Sequence, residues 1–267
     1  METRISDLLS KTSFCTCSYL KSLSNRRADI VREAIQSWDK FLEIPFAEKI
    51  FLDDGSPDIN GIKTLKLSTN LNKFSEIRYN PIIHPPHSNF GIINSMELCK
   101  GEYILHLDDD IRINGSEEDC INVIQRSLAL LAQDEKILGI NLLTMPSQFD
   151  KNWFPGKDYY ESDEFAHPNK YFGTAACLIK KKLLEKVSLT DIIRWGEQQP
   201  DVWEILISDD VSSFLVTKVP TPFKVDTDTW AYSSTSELNW NVIKYELGNK
   251  FPLLKKVAYL LKNRGLS

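Results

Sequence analysis

Three acidic clusters stand out along this chain of 267 residues: "FLDDGSPD" (51–58), "HLDDDIRI" (106–113) and "ISDDVSSF" (207–214). Neighbouring carboxylates repel one another, so a run of them is favourable only where a cation or several hydrogen-bond donors meet it. Oxygen donors of this kind suit a hard divalent ion, Mg²⁺ or Mn²⁺. If Asp108, Asp109 and Asp110 continue a strand, Asp108 and Asp110 share a face and Asp109 turns away. In Asp209 and Asp210, proximity would separate the two pKa values, leaving one carboxylate able to accept a proton near neutrality. Each cluster also has a plainer reading. The first is a tight surface turn justified by Gly55 and Pro57, the second a solvated acidic loop, and the third a helix N-cap at Asp209.

Placing such groups requires a scaffold, and the pattern of apolar residues supplies one. "SFCTCSY" (13–19), "AEKIFL" (47–52), "EIRYNPIIH" (76–84, interrupted by Pro81), "EYILHL" (102–107), "ILGINLLT" (137–144) and "YFGTAACLIK" (171–180) read as strands. Between them, "SNRRADIVREAIQSW" sets Ala28, Val31, Ala34, Ile35 and Trp38 at helical spacing. "SNFGIINSMELCKG" reads as a helix capped by Ser88 or Asn89 and stopped by Gly101, and "SEEDCINVIQRSLALLAQDEK" as a helix with acids in its first turn. "DVSSFLV" (210–216) is predicted helical and "VPTPFKV" (219–225) extended. Alternating strands and helices imply an α/β fold, a mainly parallel mixed sheet with helices on both faces. Ligands of such sheets bind beyond the carboxyl ends of the strands, where the first two acidic clusters fall.

Composition excludes several classes. A net charge of −5, from 37 acidic and 32 basic residues, offers no basic excess for nucleic acid. With 42% hydrophobic residues the chain can bury a sizeable core. No apolar run has the length of a membrane span, and the first residues lack the core of a signal peptide, so a cytoplasmic protein is expected. The five cysteines form no CxxC pair and read as buried thiols.

The order of these segments, an N-terminal strand, "FLDDGSPD", "CKGEYILHLDDDI", "FGTAACLIKKKLLEKV" and "ISDDVSSF", resembles the family-two glycosyltransferases of the GT-A fold from about Ser13 to about Val225. The resemblance implies a Rossmann-like GT-A domain over 1–235 with a helical extension over 236–267. In that family a DDGS-type turn contacts a nucleotide, a DxD motif holds a divalent metal on a sugar diphosphate, and a later acidic pair supplies a base. Carried to this chain, Asp53 or Asp54 would accept from the base or ribose, with Gly55 and Ser56 allowing close approach. Thr16 and Ser18 would contact the nucleotide from the first strand. Asp110 would be the direct metal ligand, and Asp108 would face the ribose or a metal-bound water, with Asp109 between them. Gly173 would leave room for the donor sugar, and Asp210, beside Asp209, would deprotonate the acceptor. Where the family often continues Thr-Tyr-Asn-Arg, this chain reads "TCSYLKSLSNRR", with Arg26 the candidate for the arginine.

The implied activity is inverting, Mn²⁺- or Mg²⁺-dependent transfer from a nucleotide sugar, UDP-sugar favoured, to a glycan, lipid-linked or protein-linked acceptor. The aromatic stretch 146–170 is the expected acceptor side. The basic amphipathic tail 250–267 either packs on the domain or lies on the inner face of a membrane. Two other readings stay open. One is a haloacid-dehalogenase-type phosphatase, whose DxDGT turn "FLDDGS" matches poorly because leucine replaces the first aspartate. The other is a non-catalytic relative that binds nucleotide sugars or glycans.

Overall fold

Successive residues of the central strands enter different hydrophobic clusters, as the two-residue period of a β-strand requires. Phe14, Phe51, Leu105 and Leu178 pack in one cluster with Val31, Ile35 and Trp38, while their neighbours Cys15, Ile50, Ile104 and Cys177 pack in the other with Ile92, Ile93 and Met96. The sheet is therefore buried on both faces.

In the computed structural model the described residues are 7–20, 26–54, 56, 70–79, 88–143, 164–166, 175–186 and 213–225. The chain divides into two units, Met1–Val225 and Asp226–Ser267, and all described residues belong to the first. The strands are β1 (Thr12–Ser18), β2 (Glu48–Asp53), β3 (Glu76–Tyr79), β4 (Tyr103–Leu107), β5 (Ile111–Ile113), β6 (Gly139–Asn141), β7 (Phe165–Ala166), β8 (Ala176–Lys180), β9 (Phe214–Thr217) and β10 (Phe223–Val225). Helices among the described residues include α1 (Arg26–Ser37), α2 (Ser88–Glu97) and α3 (Glu117–Gln133).

Among the described residues eight strands form one sheet in the order β3-β2-β1-β4-β8-β6-β9-β7, and β5 and β10 form a separate antiparallel pair. The first four run parallel. β8 runs antiparallel between β4 and β6, and β7 is antiparallel to β9, so the sheet is mixed. The register sets Ser18 opposite Asp53, Asp53 opposite Tyr79, and Cys15 opposite His106, which brings the carboxyl ends of β1, β2 and β4 to one edge.

Local chemistry fixes the helices. Ser116 Oγ accepts from Asp119 N at 3.1 Å while Asp119 Oδ2 accepts from Ser116 N at 2.8 Å, a reciprocal cap that starts α3 and holds the Asp119 carboxyl below its usual range. Gly101 answers a different need from the predicted helix stop. α2 ends at Glu97, and a Cβ at position 101 would lie 2.5 Å from the Lys11 carbonyl and 2.7 Å from Ser13 N. Glycine is required there because two backbone segments approach closely.

One predicted element changes type. "DVSSFLV" was expected to be helical, yet Phe214–Thr217 is the buried strand β9, paired parallel to β6. A short apolar run does not distinguish a buried strand from a helix by periodicity, and pairing to β6 decides it.

Trp38, fully buried after α1, donates from Nε1 to the Ile111 carbonyl at 2.7 Å. Ile111 N in turn donates to Asp108 O at 3.1 Å, closing a tight turn over the three aspartates. Trp38 thus fastens the exit of that turn to the core. Trp38→Phe removes the donor and strands a buried acceptor. The expected loss is about 1–3 kcal/mol of unfolding free energy in urea titrations, and an unchanged midpoint would show that the bond is not structural.

Candidate functional site

The site is built from three strand ends. At the end of β1, Thr16 and Ser18 are buried, and neither hydroxyl has a hydrogen-bond partner among the described residues. At the end of β2, Asp53 is fully buried; Oδ1 accepts from Ser56 N at 2.9 Å and Oδ2 has no partner among the described residues. Burial raises the Asp53 carboxyl above its usual range, partly offset by Ser56. Ser56 Oγ accepts from Leu20 N at 2.8 Å, and Asp54 N donates to Ser18 O at 2.9 Å, so the turn after β2 is laced to the segment leaving β1. Asp54 lies beneath α2, where a Cβ added to Gly91 would come within 2.6 Å of its Oδ2. The absent side chain at 91 is what makes room for that carboxylate.

The third strand end carries the three aspartates. β4 stops at Leu107, and Asp108 N donates to the Ala175 carbonyl at 2.7 Å. Residues 108–111 then turn, so the alternation expected of a continuing strand does not apply. The adjacent Asp109 and Asp110 share one partner. Arg27 donates from Nη1 to Asp110 Oδ2 at 2.9 Å and from Nη2 to Asp109 Oδ1. Asp108 has a partner of its own, its Oδ1 lying 3.0 Å from Nε2 of the fully buried His106, whose Nδ1 is 3.7 Å from Cys15 Sγ. His106, fully buried in β4, is the support of Asp108.

Electrostatics tie the clusters together. Asp109, only 3% exposed, is pushed up to about 6 by burial, with Asp110 and Asp108 adding to the rise and Arg27 opposing it. Ser18 is near enough to offset part of the rise, although its hydroxyl and Asp109 Oδ2 do not meet in hydrogen-bond geometry. Burial also raises Asp110, again against Arg27. The Arg27 guanidinium is held above its already high value, chiefly by Asp109. Burial pushes the Cys17 thiol well up, reinforced by Asp108, Asp109 and Asp54, so both acidic clusters bear on one point between β1 and its neighbours.

Thr16, Ser18, Asp53, Asp54, Ser56 and Asp108–Asp110 are therefore gathered at one sheet edge. Gly55, Gly173, Asp209 and Asp210 lie outside the described residues, as does the Arg26 side chain. Arg27 was not singled out from sequence. The available signal was the imbalance itself, three carboxylates with no cation among the residues immediately before them and a pair of arginines at the head of α1.

The arrangement fits a divalent ion by the chemistry of its donors: hard oxygens, one already unpartnered at Asp109 Oδ2, around a spot that demands positive charge. Among the described residues no group of three or more His, Cys, Asp or Glu side chains is placed to hold a metal ion. An ion here would need further oxygens from water or from a bound phosphate, as Mg²⁺ commonly does.

No protein-family model matches the chain, and no curated protein matches it in sequence. Solved structures do match. TarS residues 1–349 from S. aureus align over 83% of this chain and 62% of that one, at 14% identity and a TM-score of 0.50. The fold is GT-A. Two further GT-A-type structures align less closely. A mannosyltransferase from Pyrobaculum calidifontis in complex with GDP-Man and Mn²⁺ gives 13% identity, TM-score 0.48 and coverage of 82% and 59%. Glucosyl-3-phosphoglycerate synthase from Mycobacterium tuberculosis in complex with Mg²⁺ and UDP gives 12%, 0.49, and 79% and 72%. The chain spans about three fifths of the length of the TarS 1–349 chain and of the mannosyltransferase chain. No helix among the described residues is long and apolar enough to cross a membrane.

The raised Asp109 carboxyl makes stability depend on pH. Folded, it keeps its proton between 3.8 and about 6, where the unfolded chain has released it. That contribution is complete below the window and lost as pH rises through it. Relative to Asp109→Asn, the wild-type protein should lose on the order of 1–3 kcal/mol between about pH 4 and about pH 7 in metal-free urea titrations. Parallel pH profiles for the two proteins would mean that Asp109 titrates normally.

Proposed function

We propose that this GT-A domain transfers a sugar from a nucleoside diphosphate donor to an acceptor hydroxyl, with a divalent cation, and with inversion at the anomeric carbon. The observation that carries this reading is the meeting of two acidic turns with buried, unpartnered hydroxyl and carboxylate oxygens at the carboxyl edge of parallel strands. Such an edge is where ligands of open α/β sheets bind.

Asp53, with Oδ2 unpartnered, would accept a hydrogen bond from the base or ribose, and Ser18 and Thr16 would offer hydroxyls to the nucleotide from β1. Asp110, with Asp108 or its water, would hold Mn²⁺ or Mg²⁺; once bound, the ion would offset the negative charge gathering on the departing diphosphate. Asp108 is oriented for this by His106, and Asp110 by the turn that Trp38 fastens. Asp210, beside Asp209, would take the proton of the acceptor hydroxyl on the face opposite the diphosphate, which gives inversion. UDP-sugar is the favoured donor, and a glycan, lipid-linked or protein-linked hydroxyl the acceptor.

The phosphatase alternative needs a nucleophilic aspartate where Leu52 stands, and Leu52 is 2% exposed within β2. A binding-only relative is separated from the transferase by turnover.

A thermal-shift panel of UDP-, GDP- and dTDP-sugars tests the proposal. One donor with Mn²⁺ should raise Tm by on the order of 5 °C at about a hundredfold excess over Kd. Asp110→Ala should abolish the Mn²⁺-dependent part of the shift and the turnover. Asp210→Ala should remove turnover while leaving the shift, and NMR of the product should show the inverted anomer. Equal shifts with and without Mn²⁺ in the wild-type protein, or a retained configuration, would overturn the corresponding part of the proposal.

A further inference from the structure

Arg27 stands where its own helix disfavours it. It is the second residue of α1, beside the positive end of the helix dipole, where a cation loses rather than gains. Tertiary partners must keep its guanidinium in place, and those partners are Asp109 and Asp110, one on each terminal nitrogen. The Arg27 side chain remains 39% exposed, whereas Asp109 is nearly closed to water, so the guanidinium plugs the acidic turn from its solvent side. The oxygens it occupies, Asp109 Oδ1 and Asp110 Oδ2, belong to the turn that the donor-site reading gives to a divalent ion.

We infer that Arg27 is the resident counter-ion of the acidic turn, which a divalent cation displaces only when a nucleoside diphosphate arrives to take the guanidinium in exchange. The inference rests on the donor-site reading and adds an order of events to it. Two positive charges cannot share the same pair of carboxylates without strong repulsion, so cation entry requires that Arg27 leave Asp110. A bare exit would expose a pair-forming guanidinium to water and gain little. A diphosphate changes that balance, because the planar five-donor fork of arginine matches phosphate oxygens as well as carboxylate oxygens. Nucleotide and cation therefore bind cooperatively, each lowering the cost of the other through one side chain. Without nucleotide, Arg27 offsets part of the charge on these carboxylates and occupies their oxygens, so a free divalent ion binds the turn poorly.

The exchange predicts effects of opposite sign from one substitution. Mn²⁺ binding to the intact protein without nucleotide is followed by loss of the free-ion EPR signal, and UDP binding in excess MnCl₂ by calorimetry. Arg27→Gln should tighten Mn²⁺ alone by about tenfold or more and weaken UDP by about tenfold. Arg27→Lys keeps the charge but cannot bridge both carboxylates, so it should fall between the two and serves if the glutamine variant fails to fold. Loss of a purely structural contact would weaken both ligands or neither. If wild-type protein binds UDP with Mn²⁺ and neither variant tightens Mn²⁺ alone, the role given to Arg27 is wrong while the donor-site reading stands. If wild-type protein binds none of UDP, GDP and dTDP in excess MnCl₂, the donor-site reading fails and this inference falls with it.

Discussion

Three consecutive carboxylates at the end of a buried strand cannot be left unmatched, and the way this chain neutralises them organises everything nearby. Asp108, Asp109 and Asp110 leave β4 together, and separate partners take them in different directions. A buried histidine takes the first, an arginine from α1 takes the other two, and the main chain of the turn is pinned through Ile111 to Trp38. Burial would otherwise force protons onto these groups. Burial keeps the Asp109 carboxyl up at about 6 even with Arg27 beside it, and Asp110 and Asp108 add to the rise.

The surrounding fold is the means of holding that concentration still. Because β1, β2 and β4 are parallel and adjacent, their carboxyl ends open on one edge, and because both sheet faces are covered by helices, the edge has rigid walls. Phe14 illustrates the coupling. It packs edge-on against Trp38 and Phe41, at centroid separations of 5.8 and 5.1 Å, and it sits on the same strand as Thr16 and Ser18. The aromatic cluster thus fixes β1 relative to α1, and α1 carries Arg27.

Much of this was legible in the sequence for a physical reason: strand period, helix caps and Gly/Pro punctuation are local. "EYILHL" and "AEKIFL" could be read as strands ending in acids without knowing what lay beside them. Partnerships across the sheet were not legible. Arg27 meets Asp109 and Asp110 from more than 80 positions away, and nothing in "SNRRADIVREAI" distinguishes it from a solvated helix-surface arginine. The same limit produced the misreading of β9, whose identity depends on β6. The turn of the three aspartates was not legible either, because the strand's period ends at Leu107, where the Asp108–Ile111 hydrogen bond turns the chain.

The placement of unmatched polar atoms supports the same edge independently of charge. Each buried hydroxyl or carboxylate oxygen left without a partner costs about 1–3 kcal/mol, and a stable domain tolerates few. Here Thr16 Oγ1, Ser18 Oγ, Asp53 Oδ2 and Asp109 Oδ2 lie on the ends of three neighbouring strands. Scattered over the core, four such atoms would be separate defects. Side by side, they form one polar surface whose cost is recoverable by a single ligand rich in hydroxyl and phosphate oxygens, or by the water and ion that accompany it. Repacking the edge with apolar residues would recover the same energy without a ligand. The chain instead keeps both the oxygens and the guanidinium that holds their charge in check, an arrangement that stabilises the domain less than an apolar edge would.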